Sequence, residues 1–316
     1  MTRGATSPER FEALDGLRGI AALAVAFGHA FPGHRNTALA VDFFFILSGF
    51  VLAHSYGERL EQGLSFAKYM RARTIRLFPM IGLGTAIGFL SFPGIPWGTL
   101  LVPVPGKFMY PMDRPAWSLL FEMTASVFLG LGLWRKWRLV PLTIIGALAL
   151  TLAIFHAGKV DQGIALDQFH YGLTRVFYGF GMGALIYRFR PKFSLPPLLL
   201  CAVLAAILLQ PWSPWYYQLA MVLALCPLIV AAAANAPSFP GAKYLGDLSY
   251  PLYIVHWPIY ALTPALPAPL QLALAIGVAW AALKLYDEPV RKWLTLRLAG
   301  PAKSAARAEP LFTSRP

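Results

Sequence analysis

Leu14-Asp15-Gly16-Leu17-Arg18-Gly19-Ile20-Ala21-Ala22-Leu23-Ala24-Val25-Ala26-Phe27-Gly28-His29-Ala30-Phe31 is long enough to cross a bilayer as a helix. Yet it carries Arg18 near its start and His29 near its end. At about 100° per residue, their separation is three turns plus roughly 20°, so both side chains share one face, about 16 Å apart along the axis. An ionisable group inside a membrane helix is costly to insert and therefore faces the protein interior or a wet cavity. The next apolar run supplies an acid, Asp42, near its outer end. The rest of the chain reads as scaffold and substrate channels around this pair of helices.

Composition agrees with a bilayer. The 316 residues are 57% hydrophobic and only 13% charged, with a mean hydropathy of +0.57, far from the charge content of a soluble domain. The net charge of +13 would suggest nucleic acid in a soluble protein. Here the basic residues sit in short gaps between apolar runs, which is an orientation signal and excludes a nucleic-acid partner. Cys201 and Cys226 lie inside apolar runs without a metal-ligand neighbour and read as buried thiols in helix packing. No metal site is expected. Arg3 and Arg10 precede the first run as in a secretory signal, but Glu9, Glu12 and Asp15 crowd the same region and no small-residue cleavage site follows, so this run reads as a retained helix.

The expected fold is all-α, a polytopic membrane bundle of about ten spans: Leu14–Phe31, Thr37–Tyr56, Thr74–Phe92, Pro115–Trp134, Leu139–Ala157, Tyr171–Tyr187, Leu195–Pro211, Trp215–Asn235, Ser249–Leu266 and Ala268–Asp287. With the N-terminus cytoplasmic, roughly twenty basic residues fall on the inner side against roughly four (Arg35, Lys107, Arg114, Lys159) outside, which places both termini in the cytoplasm. Residues 1–12 form a cytoplasmic tail, 13–293 the transmembrane domain, and 294–316 a disordered cytoplasmic tail. The Pro- and Gly-rich segment Pro93–Arg114 is too broken to span and is expected to cap the outer mouth. Small-xxx-small pairs, Gly84/Gly88 and Gly179/Gly183, predict close helix packing.

Depth along the helices brings His29, Asp42 and Glu122 toward one level near the outer side. A carboxylate accepting from one imidazole nitrogen would hold the ring and make the other nitrogen a better base. The alternative is that Asp42 pairs with Arg35 or a helix end and that His29 is a hydrogen-bonded packing residue. On the cytoplasmic side Arg73 and Arg76 share a face at i, i+3, suited to bidentate phosphate contacts or to lipid-headgroup anchoring. His256, with Tyr253 before it, is expected roughly 10 Å in from the cytoplasm, lining a channel. His34, His54, His156 and His170 receive no role.

Together these residues resemble acyltransferase family 3, integral-membrane enzymes that move acyl groups from acyl-CoA to acceptor hydroxyls. The resemblance rests on Leu14 to Ala22 with the Arg18/His29 spacing, on Val41-Asp42-Phe43-Phe44-Phe45-Ile46-Leu47-Ser48-Gly49-Phe50, and on Arg73 and Arg76 before Pro79. Trp117-Ser118-Leu119 with Glu122, Leu245-Gly246 with Ser249-Tyr250, and His256 also fit. It spans about Phe11 to Trp293. The family's basic motif has two adjacent basic residues where Ala72-Arg73 stand, and Met80, Ile81 and Gly82 replace aromatic residues that often follow the proline.

The resemblance implies a cytoplasmic acyl-CoA co-substrate, acetyl-CoA above all, docked at Arg73 and Arg76 with its arm passing Arg18, and no permanently bound cofactor. His29, oriented by Asp42 or Glu122, takes the proton of an acceptor hydroxyl carried by a glycan or glycolipid of the envelope. Ser48, Trp117, Ser118, Tyr253 and His256 contribute channel or acceptor contacts. Direct transfer is simpler than an acyl-enzyme on Ser48. The implied location is the bacterial inner membrane. A proton-coupled transporter or flippase would use the same intramembrane polar residues, although no inverted repeat is evident. The oligomeric state is not readable from the chain.

Overall fold

The computed structural model describes residues 11–33, 35–91, 102–133, 136–211 and 213–298, and these are helical with connecting loops. The expected tails before Phe11 and from Ala299 onward, and part of the expected outer cap, lie outside the described residues. Each expected spanning stretch contains a helix: α1 Glu12–Ala30, α2 Asn36–Glu61, α3 Phe66–Ser91, α4 Ala116–Gly130, α5 Leu139–Ala157, α6 Phe169–Phe189, α7 Pro197–Leu209, α8 Trp215–Ala233, α9 Ala242–Leu262 and α10 Ala268–Leu298. Five of them (α2, α3, α5, α8 and α10) are long and apolar enough to cross a membrane. The others are either shorter, as α4 and α7 are, or interrupted by the polar residues that build the site.

Two boundaries differ from expectation in ways that matter. Helix α3 begins at Phe66 rather than Thr74, because Arg73 is buried inside the bundle and the basic segment continues the helix instead of preceding it. Helix α9 begins at Ala242 rather than Ser249, after Gly241 with φ 87°, a left-handed backbone that glycine adopts without a Cβ clash. The extra two turns carry His256 about 21 Å from the helix start, twice the expected depth.

Two close helix pairs position the site, and glycine makes both possible. Helix α1 lies along α9, where a Cβ on Gly19 would stand 2.5 Å from Leu245 Cβ and 2.6 Å from its carbonyl oxygen. Helix α2 lies along α6, where a Cβ on Gly183 would meet the Ile46 carbonyl oxygen at 2.0 Å. Gly84, Gly88 and Gly179 make similar approaches to Ile254, Met112 and Phe45, so the small-residue spacing does serve backbone packing. Cys226 is fully buried in the same core, as its apolar surroundings predict.

Candidate active site

At the Arg18 end of the bundle, α1, α3 and α10 bring arginines together. Arg18 pairs with Asp15 at 3.1 Å on its own helix. Arg76 on α3 and Arg291 on α10 both face the buried carboxylate of Asp287, at 3.8 and 2.7 Å, and Arg76 also lies over the Tyr250 ring at 5.2 Å. Two guanidinium groups against one acid leave a positive surplus. Arg73, one turn away, points inward: its Nη2 donates to Glu122 Oε1 at 2.6 Å and its Nε to Ser126 Oγ at 3.2 Å.

From this end a shaft enters the bundle. Arg18, Arg73 and Arg76 line its mouth, and Phe44, Phe45, Leu119 and Ser48 line its wall, with Ser118 and Tyr253 among its lining residues further along. Ser48 Oγ donates to Glu122 Oε1 at 3.4 Å, so this serine has a carboxylate neighbour and no imidazole. Ser118 and Tyr253 share a hydroxyl–hydroxyl hydrogen bond of 2.8 Å. Trp117, expected to contact substrate, is buried beneath the Arg175 guanidinium at 5.2 Å.

Beyond Tyr253 lies the histidine pair. The His256 ring is 6.2 Å from that of Tyr253, so the wall between shaft and histidines is one side chain thick. His29 Nδ1 and His256 Nε2 are 2.8 Å apart, and the two ring planes are nearly parallel, at 11°. His256 is fully buried, while His29 is exposed. The tautomers follow from the far end of the chain of bonds. His256 Nδ1 lies 3.0 Å from the Leu252 carbonyl oxygen, which only accepts, so Nδ1 carries the hydrogen. With both rings neutral, His256 Nε2 then accepts from His29 Nδ1–H, and His29 Nε2 keeps its lone pair. Two adjacent imidazolium ions would repel, which favours this neutral pairing.

The sequence-level convergence of His29 with Asp42 and Glu122 is not observed. Among the described residues, His29 hydrogen-bonds to His256, Glu122 is taken by Arg73 and Ser48, and Asp42 is taken by Arg175. Arg175 Nε and Nη2 reach Asp42 Oδ1 and Oδ2 at 3.0 and 2.8 Å, a two-pronged ion pair in which both residues are almost fully buried. The same guanidinium donates to the Ala38 and Gln162 carbonyls. It thereby ties α6 to α2 and to the loop after α5. The expected common depth did not bring the acids to the imidazole, because each carboxylate faces a different neighbour around its helix axis and is held there by a buried guanidinium.

Replacing Asp42 with alanine strands the Arg175 charge and should cost about 3–5 kcal/mol, read as a fall in the unfolding temperature of the detergent-solubilised protein. Asp42→Asn keeps one acceptor for the guanidinium but not the counter-charge, so it should recover only a small part of that loss while retaining kcat in the folded fraction. A well-folded Asp42→Asn protein without turnover would instead restore the catalytic role inferred from depth.

Arg175 and Trp257 were missed by sequence reasoning. Arg175 carried a visible signal: it is an arginine inside the apolar run Tyr171–Tyr187, where a charge demands a partner. Trp257, edge-on to His29 at 5.5 Å, carried none beyond its place beside His256.

A helical bundle with an exposed imidazole held by a second imidazole, and a largely apolar shaft running from an arginine cluster to Tyr253 beside that pair, has the parts of a membrane-embedded group-transfer enzyme. The chain belongs to acyltransferase family 3: the family's acyltransferase domain matches residues 11–283. By that membership it is an integral-membrane O-acyltransferase. Its curated relatives include Protein 2 in picA locus of Rhizobium radiobacter, 48% identical over 38% of this chain and 80% of that protein. The Exopolysaccharide production protein ExoZ of Rhizobium meliloti is 29% identical over 78% of this chain and 82% of its own length. The Peptidoglycan O-acetyltransferase OatA of Listeria monocytogenes is 22% identical over 88% of this chain but only 55% of its own length. No solved structure matches the chain.

Proposed function

We propose that this protein transfers a short acyl group, acetyl above all, from cytoplasmic acyl-CoA to a hydroxyl of an envelope or exported glycan at the bacterial cytoplasmic membrane. The observation that carries this reading is the His29–His256 pair, with its free Nε2 on an exposed ring, set beyond a shaft that starts among arginines. The relatives' printed names, an exopolysaccharide production protein and a peptidoglycan O-acetyltransferase, support a glycan acceptor.

In this reading the Arg18 end is cytoplasmic, as the basic-residue bias suggests, and the positive surplus at Arg76 and Arg291 meets the phosphates of the donor. The thioester arm rises along the shaft past Phe44 and Leu119, and its acyl end passes the Ser118–Tyr253 hydroxyl pair. His29 Nε2 takes the proton of the acceptor hydroxyl as that oxygen bonds to the thioester carbon. The C–S bond breaks, the thiolate leaves, and the imidazolium returns its proton to the sulfur. His256, in place of a carboxylate, holds the ring for this exchange.

The test uses full-length protein in sealed vesicles, with [14C]acetyl-CoA on the arginine side and alkali-de-esterified envelope polysaccharide on the other. Label should pass to the polysaccharide as a base-labile ester, with one free CoA thiol per ester formed. Movement of polysaccharide or protons without thiol release would overturn the reading in favour of transport.

A further inference from the structure

At the His29 end, two loops carry charged side chains that the transfer chemistry above does not use. Phe108, Arg114 and Trp257 form a sandwich: the Arg114 guanidinium carbon lies 3.6 Å from the Phe108 ring centroid and 4.1 Å from that of Trp257. Trp257 in turn meets the His29 ring edge-on at 5.5 Å. Stacking fixes the plane of the guanidinium but satisfies none of its N–H groups, and Arg114 has no carboxylate or carbonyl partner among the described residues. On the other loop Asp161 is exposed; it makes no close ion pair among the described residues, with Arg175 its cationic influence besides His29. Both charges lie within Coulombic range of His29.

The two loops are held rather than loose. Met109 N–H donates to the Ile164 carbonyl at 2.9 Å, joining one loop to the other. Arg175 holds the Gln162 carbonyl, and the Val160 N–H donates to Gln218 Oε1 at 2.8 Å. Arg114, through Trp257, is therefore held next to an exposed general base, and Asp161 stands on a braced loop within Coulombic range of the same ring. Guanidinium donors stacked on an aromatic ring and a carboxylate acceptor, all within range of one imidazole, suit a ligand that both donates and accepts hydrogen bonds. An anionic headgroup would meet Arg114 but oppose Asp161, and an acyl chain would leave both charges unsatisfied. A pyranose satisfies both through its hydroxyls and offers its C–H face to the aromatic rings.

We propose that Arg114, Asp161 and Trp257 form the acceptor subsite, which reads the hydroxyls of one pyranose unit and sets one of them on His29 Nε2. This rests on the transfer reading above and adds the residues that choose the acceptor. The assay follows acetyl transfer from acetyl-CoA by the full-length protein in detergent, with soluble oligosaccharides cut from the de-esterified envelope polysaccharide as the probe. Arg114→Gln and Asp161→Asn should each raise the KM for the oligosaccharide about tenfold to a hundredfold while the KM for acetyl-CoA stays at its wild-type value. Asp167→Asn, which removes an exposed charge from the same outer loop, should change neither. Unaltered oligosaccharide KM in both Arg114→Gln and Asp161→Asn, with transfer intact, would overturn the subsite and leave the transfer reading standing. Loss of transfer at every acceptor concentration together with an altered KM for acetyl-CoA would also overturn it, since the residues would then be supporting the fold or the donor site. If wild-type protein accepts the sugar only when lipid-linked, comparison of the same variants on that substrate decides the point by the same KM criterion. Absence of thioester cleavage in the wild type would instead count against the transfer reading itself.

Discussion

His29→Ala should lower kcat for acyl transfer by about a thousandfold, within the range of 10²–10⁴ for loss of a positioned general base, while the protein remains folded and still binds acyl-CoA. The ring is exposed at the end of α1, so its removal opens no core cavity, and the effect is chemical. His256 is expected to act through His29 and not on the substrate. It is fully buried, its Nδ1 faces the Leu252 carbonyl, and its Nε2 accepts from His29. His256→Leu should therefore reduce kcat by about ten- to a hundredfold with little change in either KM, because His29 loses the acceptor that fixes its tautomer and plane. His256→Gln places an amide oxygen near the same nitrogen and should restore much of the rate. Stopped-flow detection of free CoA thiol at saturating acceptor measures both. Wild-type turnover in His29→Ala, or equal loss in His256→Gln and His256→Leu, would remove the imidazole pair from the mechanism.

The second large effect concerns Arg73 and Glu122. Glu122→Ala leaves a guanidinium, itself 7% exposed, facing only Ser126, and should destabilise the protein by about 3–5 kcal/mol. Most of the chain should then fail to reach the membrane in folded form. Replacing both partners, Arg73→Met with Glu122→Leu, removes the stranded charges together and should recover much of the folded yield, since apolar replacement of a buried pair is often neutral or better. The recovered protein should nonetheless be inactive, because Arg73 also lines the mouth of the shaft. Fluorescence-detected size exclusion reads the folded yield, and acetyl transfer per folded molecule reads the activity. A double variant that transfers at the wild-type rate would make this pair purely structural and would leave donor binding to Arg76 and Arg291 without help from Arg73.

The comparison of Arg73 with Asp42 shows where sequence reasoning stopped. Both were legible as polar groups inside apolar helices, and the 1.5 Å rise per residue gives each a height along its own helix. Azimuth was not legible. Asp42, expected beside His29, turns toward α6 and Arg175. Arg73 was read as a ligand contact on the basis of its spacing from Arg76, yet it turns inward to Glu122 while Arg76 turns to Asp287 on α10. His256 was misplaced even in height, since nothing in Leu245-Gly246 announced that the helix continues back to Ala242.

What the amino-acid sequence determined by itself was the membrane bundle, the separation of Arg18 from His29 along one helix face, and the glycines where backbones touch. These depend on composition and on the regular rise and turn of a single helix. Which acid, arginine or imidazole each polar side chain meets was decided only by the tertiary structure. Partners come from helices far apart in the chain, 133 residues for Asp42 and Arg175 and 227 for His29 and His256. Their meeting depends on how each helix is rotated against its neighbours, and that rotation is set by glycine contacts and buried ion pairs acting across the whole bundle.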